Sequence, residues 1–117
     1  MNYIDGFVLA VPTANRAAYK LYSEKFAPIF KEFGALSMVE CWGNDVPPGK
    51  LTSFPLAVQC KEDETVVFSW VTWPSKEVRD AAGALMMKDP RFSPEVNPMP
   101  FDGKRMIYGG FEKLTEM

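Results

Sequence analysis

The sequence contains no histidine among its 117 residues, and this absence excludes several classes of protein. Histidine-dependent catalytic triads, histidine metal sites and histidine-ligated haem are all ruled out. The two cysteines, Cys41 and Cys60, are too few and too far apart for a disulfide framework or a zinc site. We interpret them as reduced thiols on strands, which is typical of cytoplasmic proteins. We therefore expect neither a metal nor a haem cofactor.

Long apolar runs and blocks of like charge are also missing. The apolar run over residues 7–12 is too short for a signal-peptide core or a membrane span. Thirteen basic and fifteen acidic residues give a formal net charge of −2, without the basic face that is typical of nucleic-acid binders. We predict a cytoplasmic protein that binds neither membranes nor nucleic acid.

The chain does have enough apolar material for one hydrophobic core. Hydrophobic residues make up 47% of the sequence, and a length of 117 residues is typical of one domain. Residues 1–117 are therefore predicted to form a single domain.

Hydrophobic periodicity predicts strands and helices in alternation. We predict strands over residues 3–11, 36–42, 66–73 and 106–114, a short extended segment over 54–60, and helices that begin at Thr13 and Ser75. The strands at 3–11 and 66–73 are apolar on both faces, which is typical of the centre of a sheet. This order of elements predicts an α+β, ferredoxin-like split βαβ fold with an antiparallel sheet.

Two helices can cover only one face of such a sheet. The other face would expose phenylalanine, valine, leucine and tryptophan side chains, a larger apolar patch than soluble monomers usually carry. A second copy of the chain, packed face to face across a two-fold axis, would cover this patch. We therefore predict a homodimer.

Four residues are candidates for a ligand-binding site: Asp5, Trp70, Arg105 and Met106. Asp5 is a carboxylate in a predicted central strand, so it forms an ion pair, lies at a solvent-facing end or has a catalytic role. Arg105 is its expected partner, because the last strand neighbours the first in this fold. Trp70 and Met106 either fill the core or form the walls of an apolar pocket. Glu40 resembles Asp5 but lies nearer an edge, so we assign it a structural role.

The loop over residues 90–100 contains four prolines, which give it a fixed course into the last strand. Two interpretations of this loop remain open. It either forms the rim of the ligand pocket or packs over the helix ends.

Several sequence motifs resemble those of the YbaA-like family of small bacterial proteins. The resemblance runs from Tyr3 to Glu112 and is carried by VECW at 39–42, VFSW at 67–70, WPSKEVRDAA at 73–82 and MPFDGKRMIYGGF at 99–111. The family has no known function. Its place in the dimeric α+β barrel superfamily implies two paired ferredoxin-like sheets.

That superfamily also includes cofactor-free and haem-degrading monooxygenases. Trp70 is a candidate for the tryptophan of the haem-degrading members, but no residue can replace their histidine. The resemblance therefore leaves two functions open. One is a dimeric module that binds a small molecule without a metal or haem. The alternative is a cofactor-independent monooxygenase-like enzyme that acts on an aromatic or other apolar small molecule.

Overall fold

The computed structural model describes residues 2–117, which contain one four-stranded antiparallel sheet. The strands are β1 (Tyr3–Pro12), β2 (Ser37–Trp42), β3 (Glu64–Trp73) and β4 (Ile107–Glu112), in the order β2-β3-β1-β4. The helices are α1 (Arg16–Glu32), α2 (Phe54–Ala57) and α3 (Lys76–Met86). This is the predicted ferredoxin-like α+β fold, with β1 and β3 at the centre of the sheet. No helix within residues 2–117 is long and apolar enough to cross a membrane.

Helices α1 and α3 cover one face of the sheet, and the main core lies between them and the strands. Strand alternation directs Leu9 and Val11 of β1 and Trp73 of β3 toward the helices, and each of these side chains is at most 2% exposed. Burial of such large apolar side chains stabilises the fold by about 1.5–3 kcal/mol each. The sheet and both helices are therefore held together mainly by this layer.

The start of α1 differs from the prediction that Thr13 caps it. Thr13 begins a short 3-10 turn, and its hydroxyl forms a 2.7 Å hydrogen bond with the Thr65 hydroxyl on β3. At the other end, Gly34 follows the helix with φ of +108°, in the left-handed region that glycine adopts readily at helix ends. In α3, Ser75 is the predicted cap, since its Oγ accepts a hydrogen bond from the Val78 N–H at 3.2 Å.

Residues 54–60 do not form the predicted extended segment but contain the one-turn helix α2. Ser53 caps this turn by accepting from the Leu56 N–H at 3.0 Å. Pro55 lies in its first turn, where a missing N–H leaves no hydrogen bond unmade. Cys60, which was expected on a strand, lies in the segment that follows. This segment covers one end of the sheet's second face, where Val58 packs among Val8, Ala10 and Val66.

The rest of the second face carries apolar side chains that residues 2–117 leave partly or largely exposed. Phe68, Ile107 and Phe111 are 45%, 45% and 60% exposed, and the ring of Trp70 lies 5.7 Å from that of Phe68. We call these four residues the open face.

Candidate functional site

Two cavities lie between α1 and the sheet. The larger has a volume of about 690 Å³ and opens between α1 and the edge strand β2. The smaller, of about 190 Å³, lies between α1, the central strands and the loop before β4. Tyr19, Ser23 and Glu40 line both cavities. These three residues therefore stand at the junction of the two.

Glu40 points toward the helices because β2 alternates its side chains between the two faces of the sheet. Tyr19 and Ser23 are four residues apart on α1, so both face β2 from the same side of the helix. The Tyr19 hydroxyl donates to Glu40 Oε1 at 2.8 Å, and the Ser23 hydroxyl donates to Oε2 at 2.9 Å. Each carboxylate oxygen of Glu40 thus accepts one hydrogen bond from a neutral donor.

The two tyrosines beside Glu40 stay protonated. Burial and, to a smaller extent, the negative charge of Glu40 raise the pKa of Tyr19 well above its ordinary value. The same two causes raise the pKa of Tyr22. Tyr19 is therefore a permanent hydrogen-bond donor to Glu40 at physiological pH and has no role as a base.

The smaller cavity is lined mainly by aromatic and methionine side chains. The Phe101 ring meets the rings of Tyr19 and Tyr22 edge to face, with centroids 5.7 and 5.9 Å apart. Met106, one of the candidate residues, also lines this cavity, as do Phe92 and Met99 from the proline-rich loop. Phe92 also packs on the Phe26 ring of α1, with centroids 5.0 Å apart. The loop therefore does both things considered from the sequence, since it packs on a helix and borders a cavity.

Asp5 does not pair with Arg105, contrary to the prediction. It accepts two hydrogen bonds from Arg79 Nε at 3.1 and 3.2 Å and one from Arg79 Nη2 at 2.8 Å. The indole N–H of Trp73 also donates to Asp5 Oδ2 at 2.9 Å. The Arg79 guanidinium in turn lies 5.2 Å from the centroid of the Tyr3 ring. Asp5 is thus a satisfied structural carboxylate that attaches α3 to the sheet.

Arg105 pairs instead with Glu64, the first residue of β3. Its Nη1 and Nη2 donate to the two carboxylate oxygens at 2.7 and 2.6 Å, and its Nε donates to Asp102 at 3.0 Å. The hydrogen bonds from Arg105 lower the pKa of Glu64 to about 2. This arrangement secures the 3-10 turn Gly103–Arg105 that precedes β4.

The sheet register explains why Asp5 and Arg105 cannot meet. Asp5 lies opposite Gly110 of β4, whereas Glu64, the partner of Arg105, lies opposite Pro12. Seven residues of β1 separate these positions, or roughly 23 Å at 3.3 Å per residue. Asp5 borders a different cavity, against α3, and Arg105 borders neither of the two cavities beside Glu40. The four sequence candidates therefore do not form one site.

Trp70, predicted as a pocket wall, is among the residues that line the smaller cavity. It lies opposite Gly6 and Val39 in the sheet, and its indole belongs to the open face. Only its main chain can border the smaller cavity, because strand alternation turns the indole away from the helices.

The residues that sequence reasoning missed are Tyr19, Ser23 and the role of Glu40. Tyr19 and Ser23 are buried on the same side of α1 as Phe26 and Ile29. The signal that could have found the cluster is Glu40 itself. It alternates with Met38 and Trp42, so a carboxylate stands between two large apolar residues on the inner face of β2.

Within residues 2–117, no group of three or more cysteine, aspartate or glutamate side chains is arranged to hold a metal ion. The Glu40 cluster consists of one carboxylate and two hydroxyls. Its chemistry is that of a hydrogen-bond acceptor oriented by two donors.

This chain is similar to known proteins in both its sequence and its structure. The uncharacterised protein YbaA of Escherichia coli strain K12 is 60% identical over 116 residues, which cover 99% of both chains, and YbaA of Shigella flexneri matches equally well. A crystal structure of a dimeric ferredoxin-like protein from an uncultured marine organism aligns with a TM-score of 0.64 at 11% identity, over 99% of this chain and 98% of the other. That likeness supports the ferredoxin-like fold. Residues 2–103 match the family described as "Protein of unknown function (DUF1428)". This match and the YbaA relatives confirm the resemblance seen in the sequence motifs: the chain belongs to the DUF1428 family.

Proposed function

We propose that this protein binds a small molecule in the two adjacent cavities between α1 and the sheet. One observation carries the proposal: the cavities meet at the hydrogen-bonded cluster of Tyr19, Ser23 and Glu40. Ligand sites typically combine an apolar concave surface with a few convergent polar groups. The aromatic lining and the oriented carboxylate supply both features in one place.

Retention of a ligand by the purified protein is the direct test. We expect native mass spectrometry of protein isolated from its bacterial host to detect a bound small molecule. Met99 lies at the rim of the smaller cavity and is 42% exposed, so the substitution Met99→Trp would narrow the entrance without a deep change in the core. This variant is expected to lose the ligand.

The matched control is Met87→Trp, since Met87 is 90% exposed directly after the end of α3 and lines neither cavity beside Glu40. Wild-type protein and this control should retain the ligand equally. Absence of any retained ligand from all three proteins would contradict the proposal. Release of a product with one added oxygen atom would instead support the monooxygenase alternative.

We further propose that the protein works as a homodimer that buries the open face. This face carries Phe68, Trp70, Ile107 and Phe111, and an exposed apolar patch of this kind usually marks an interface. The structural neighbour from the marine organism is described as dimeric, and it aligns with nearly the whole chain. A second copy of this chain is therefore the occupant that we propose.

We also propose a cytoplasmic location, because the two free thiols suit a reducing compartment.

Light scattering tests the homodimer. The wild-type protein should have twice the 13.2 kDa mass of one chain at micromolar concentration. Phe111→Glu places a charge in the open face and should give a monomer. Leu21→Glu is the matched control, because Leu21 is 69% exposed on α1, away from this face. A wild-type monomer, or a dimer that Phe111→Glu leaves intact, would contradict this interface.

A further inference from the structure

We infer that the ligand is a small organic amine whose ammonium group binds Glu40 and whose apolar ring occupies the smaller cavity. The inference rests on the proposed small-molecule function and adds the chemical class of the ligand. Three features of the site carry it: the charge of Glu40, the free acceptor positions on its oxygens, and the size and lining of the smaller cavity.

Glu40 differs from the other half-buried carboxylates in its lack of a cation. Asp5, Glu64 and Asp89 each pair with an arginine, at 2.8, 2.6 and 2.6 Å. Among residues 2–117, no lysine or arginine nitrogen lies within 4.0 Å of Glu40. Removing a carboxylate from water without a counter-ion is costly, and a bound cation offsets that cost.

The neighbouring cations on α1 do not serve as this counter-ion. Arg16 and Lys20 border the larger cavity, but neither reaches Glu40 to within 4.0 Å. The Arg16 guanidinium lies 5.5 Å from the centroid of the Trp42 ring instead. The position of the missing cation is therefore open to a ligand.

Glu40 can accept further hydrogen bonds in addition to those within the cluster. Its oxygens receive one hydrogen bond each, from Tyr19 and Ser23. An ionised carboxylate has about four acceptor positions, so about two remain. An ammonium group has three donors and fits this unfilled capacity. A ligand carboxylate or phosphate would be repelled at the same place.

The smaller cavity sets the size of the apolar part of the ligand. Its volume of about 190 Å³ is slightly larger than the ~150 Å³ apolar cavity that is known to hold benzene. The rings of Tyr22, Phe26 and Phe101 line it, and aromatic faces also attract an organic cation. One six-membered ring with a short arm that carries the amine matches both the volume and the lining.

Titration calorimetry with matched probes tests the inference. Benzylamine supplies the ring and the cation, and benzyl alcohol has nearly the same shape without the charge. We expect benzylamine to bind the wild-type protein at least about tenfold more tightly than benzyl alcohol, the ratio typical of a charge-assisted hydrogen bond. Glu40→Gln should remove this preference and leave the affinity for benzyl alcohol unchanged.

Two further variants test whether the preference for benzylamine depends on Glu40 and on its hydrogen-bonded orientation. Glu62→Gln changes net charge by the same amount in an exposed turn that lines neither cavity, so it should retain the wild-type preference. Ser23→Ala removes one hydroxyl that orients Glu40, so it should weaken benzylamine binding by a smaller factor. Thermal unfolding of each variant establishes that it is folded.

The outcomes separate the amine inference from the proposed function. Equal binding of the two probes to the wild-type protein and to Glu40→Gln would overturn the amine inference and still support a small-molecule site. A preference for benzylamine that Glu40→Gln leaves intact would also overturn it. Failure of both probes to bind, together with the absence of a retained ligand in native mass spectrometry, would count against both.

Discussion

Arg105 holds Glu64 with two hydrogen bonds of 2.7 and 2.6 Å, and this pair connects the turn before β4 to the first residue of β3. The Glu64 side chain is 5% exposed, so the charges interact largely out of water. The pair joins segments that are 41 residues apart in the chain. Its strength should therefore affect the stability of the whole sheet.

The pH dependence of stability provides one test of this pair. The folded-state pKa of Glu64, about 2, is lower than its ordinary value of 4.5, so the ionised form stabilises the fold. That contribution is fully present above about pH 4.5 and is lost as the pH falls toward 2. Glu64→Gln should lower the free energy of unfolding by about 1–3 kcal/mol at pH 7. The difference from wild type should shrink between pH 5 and pH 2 in urea titrations.

The control for this experiment lies two residues away. Glu62→Gln alters an exposed carboxylate of the same turn. It should change the free energy of unfolding by less than about 0.5 kcal/mol, both at pH 7 and between pH 5 and pH 2. A difference between wild type and Glu64→Gln that does not depend on pH would contradict the assigned role.

The Arg79–Asp5 pair should also be important for stability. Arg79→Ala leaves Asp5 half-buried beneath α3 without a cation, and we expect a loss of about 2–3 kcal/mol. Lys76→Ala, one turn earlier, removes only an exposed bridge to Asp80 and should have a much smaller effect. Chemical unfolding measures both values, and equal losses would show that Arg79 has no special role.

Two adjacent glycines in β4 should respond differently to substitution. A Cβ at Gly110 would overlap the Tyr3 hydroxyl and lie 2.7 Å from Arg79 Nη2, so Gly110→Ala should disturb the Arg79–Asp5 pair. At Gly109, a Cβ would meet only the Phe111 ring at an ordinary 3.6 Å. We expect Gly110→Ala to destabilise the protein by about 1–3 kcal/mol and Gly109→Ala to have little effect. Equal melting temperatures of the two variants in thermal unfolding would contradict this explanation.

Gly83 offers a stabilising substitution. It lies in the interior of α3, and a Cβ there would meet no atom within 4 Å. Gly83→Ala should therefore increase stability by about 0.5–1 kcal/mol through helix propensity. Gly34→Ala is the contrasting variant, because φ is +108° at that position and the new Cβ would lie 2.9 Å from Val78 Cγ1. It should be destabilising, and a gain from it would contradict the strain argument.

Much of the fold could be predicted from sequence because its elements depend on local patterns. Alternation in β1 and β3 indicated strands that are buried on both faces, and these are the two central strands. Ser75 and Gly34 marked helix ends through the conformations that those residue types favour. Residues 54–60 were misassigned because Pro55 fits both an edge strand and the first turn of a helix.

The candidate site was harder to predict because it depends on register and on helix rotation. The neighbouring strands β1 and β4 suggested that Asp5 and Arg105 meet, but their register places Gly110 beside Asp5. The rotation of α1 about its axis determines that Tyr19 and Ser23 face Glu40. No local pattern specifies either quantity, since both follow from the packing of whole elements.

The position of β4 has a consequence for synthesis of the chain. Strand β4 pairs only with β1, although nearly the whole sequence separates the two. Before β4 has been synthesised, β1 and β3 can already pair along their ten-residue ladder, but the outer edge of β1 has no strand beside it. An unpaired edge of this kind is a site for association with other nascent chains. Synthesis of β4 therefore protects the outer edge of β1 from aggregation.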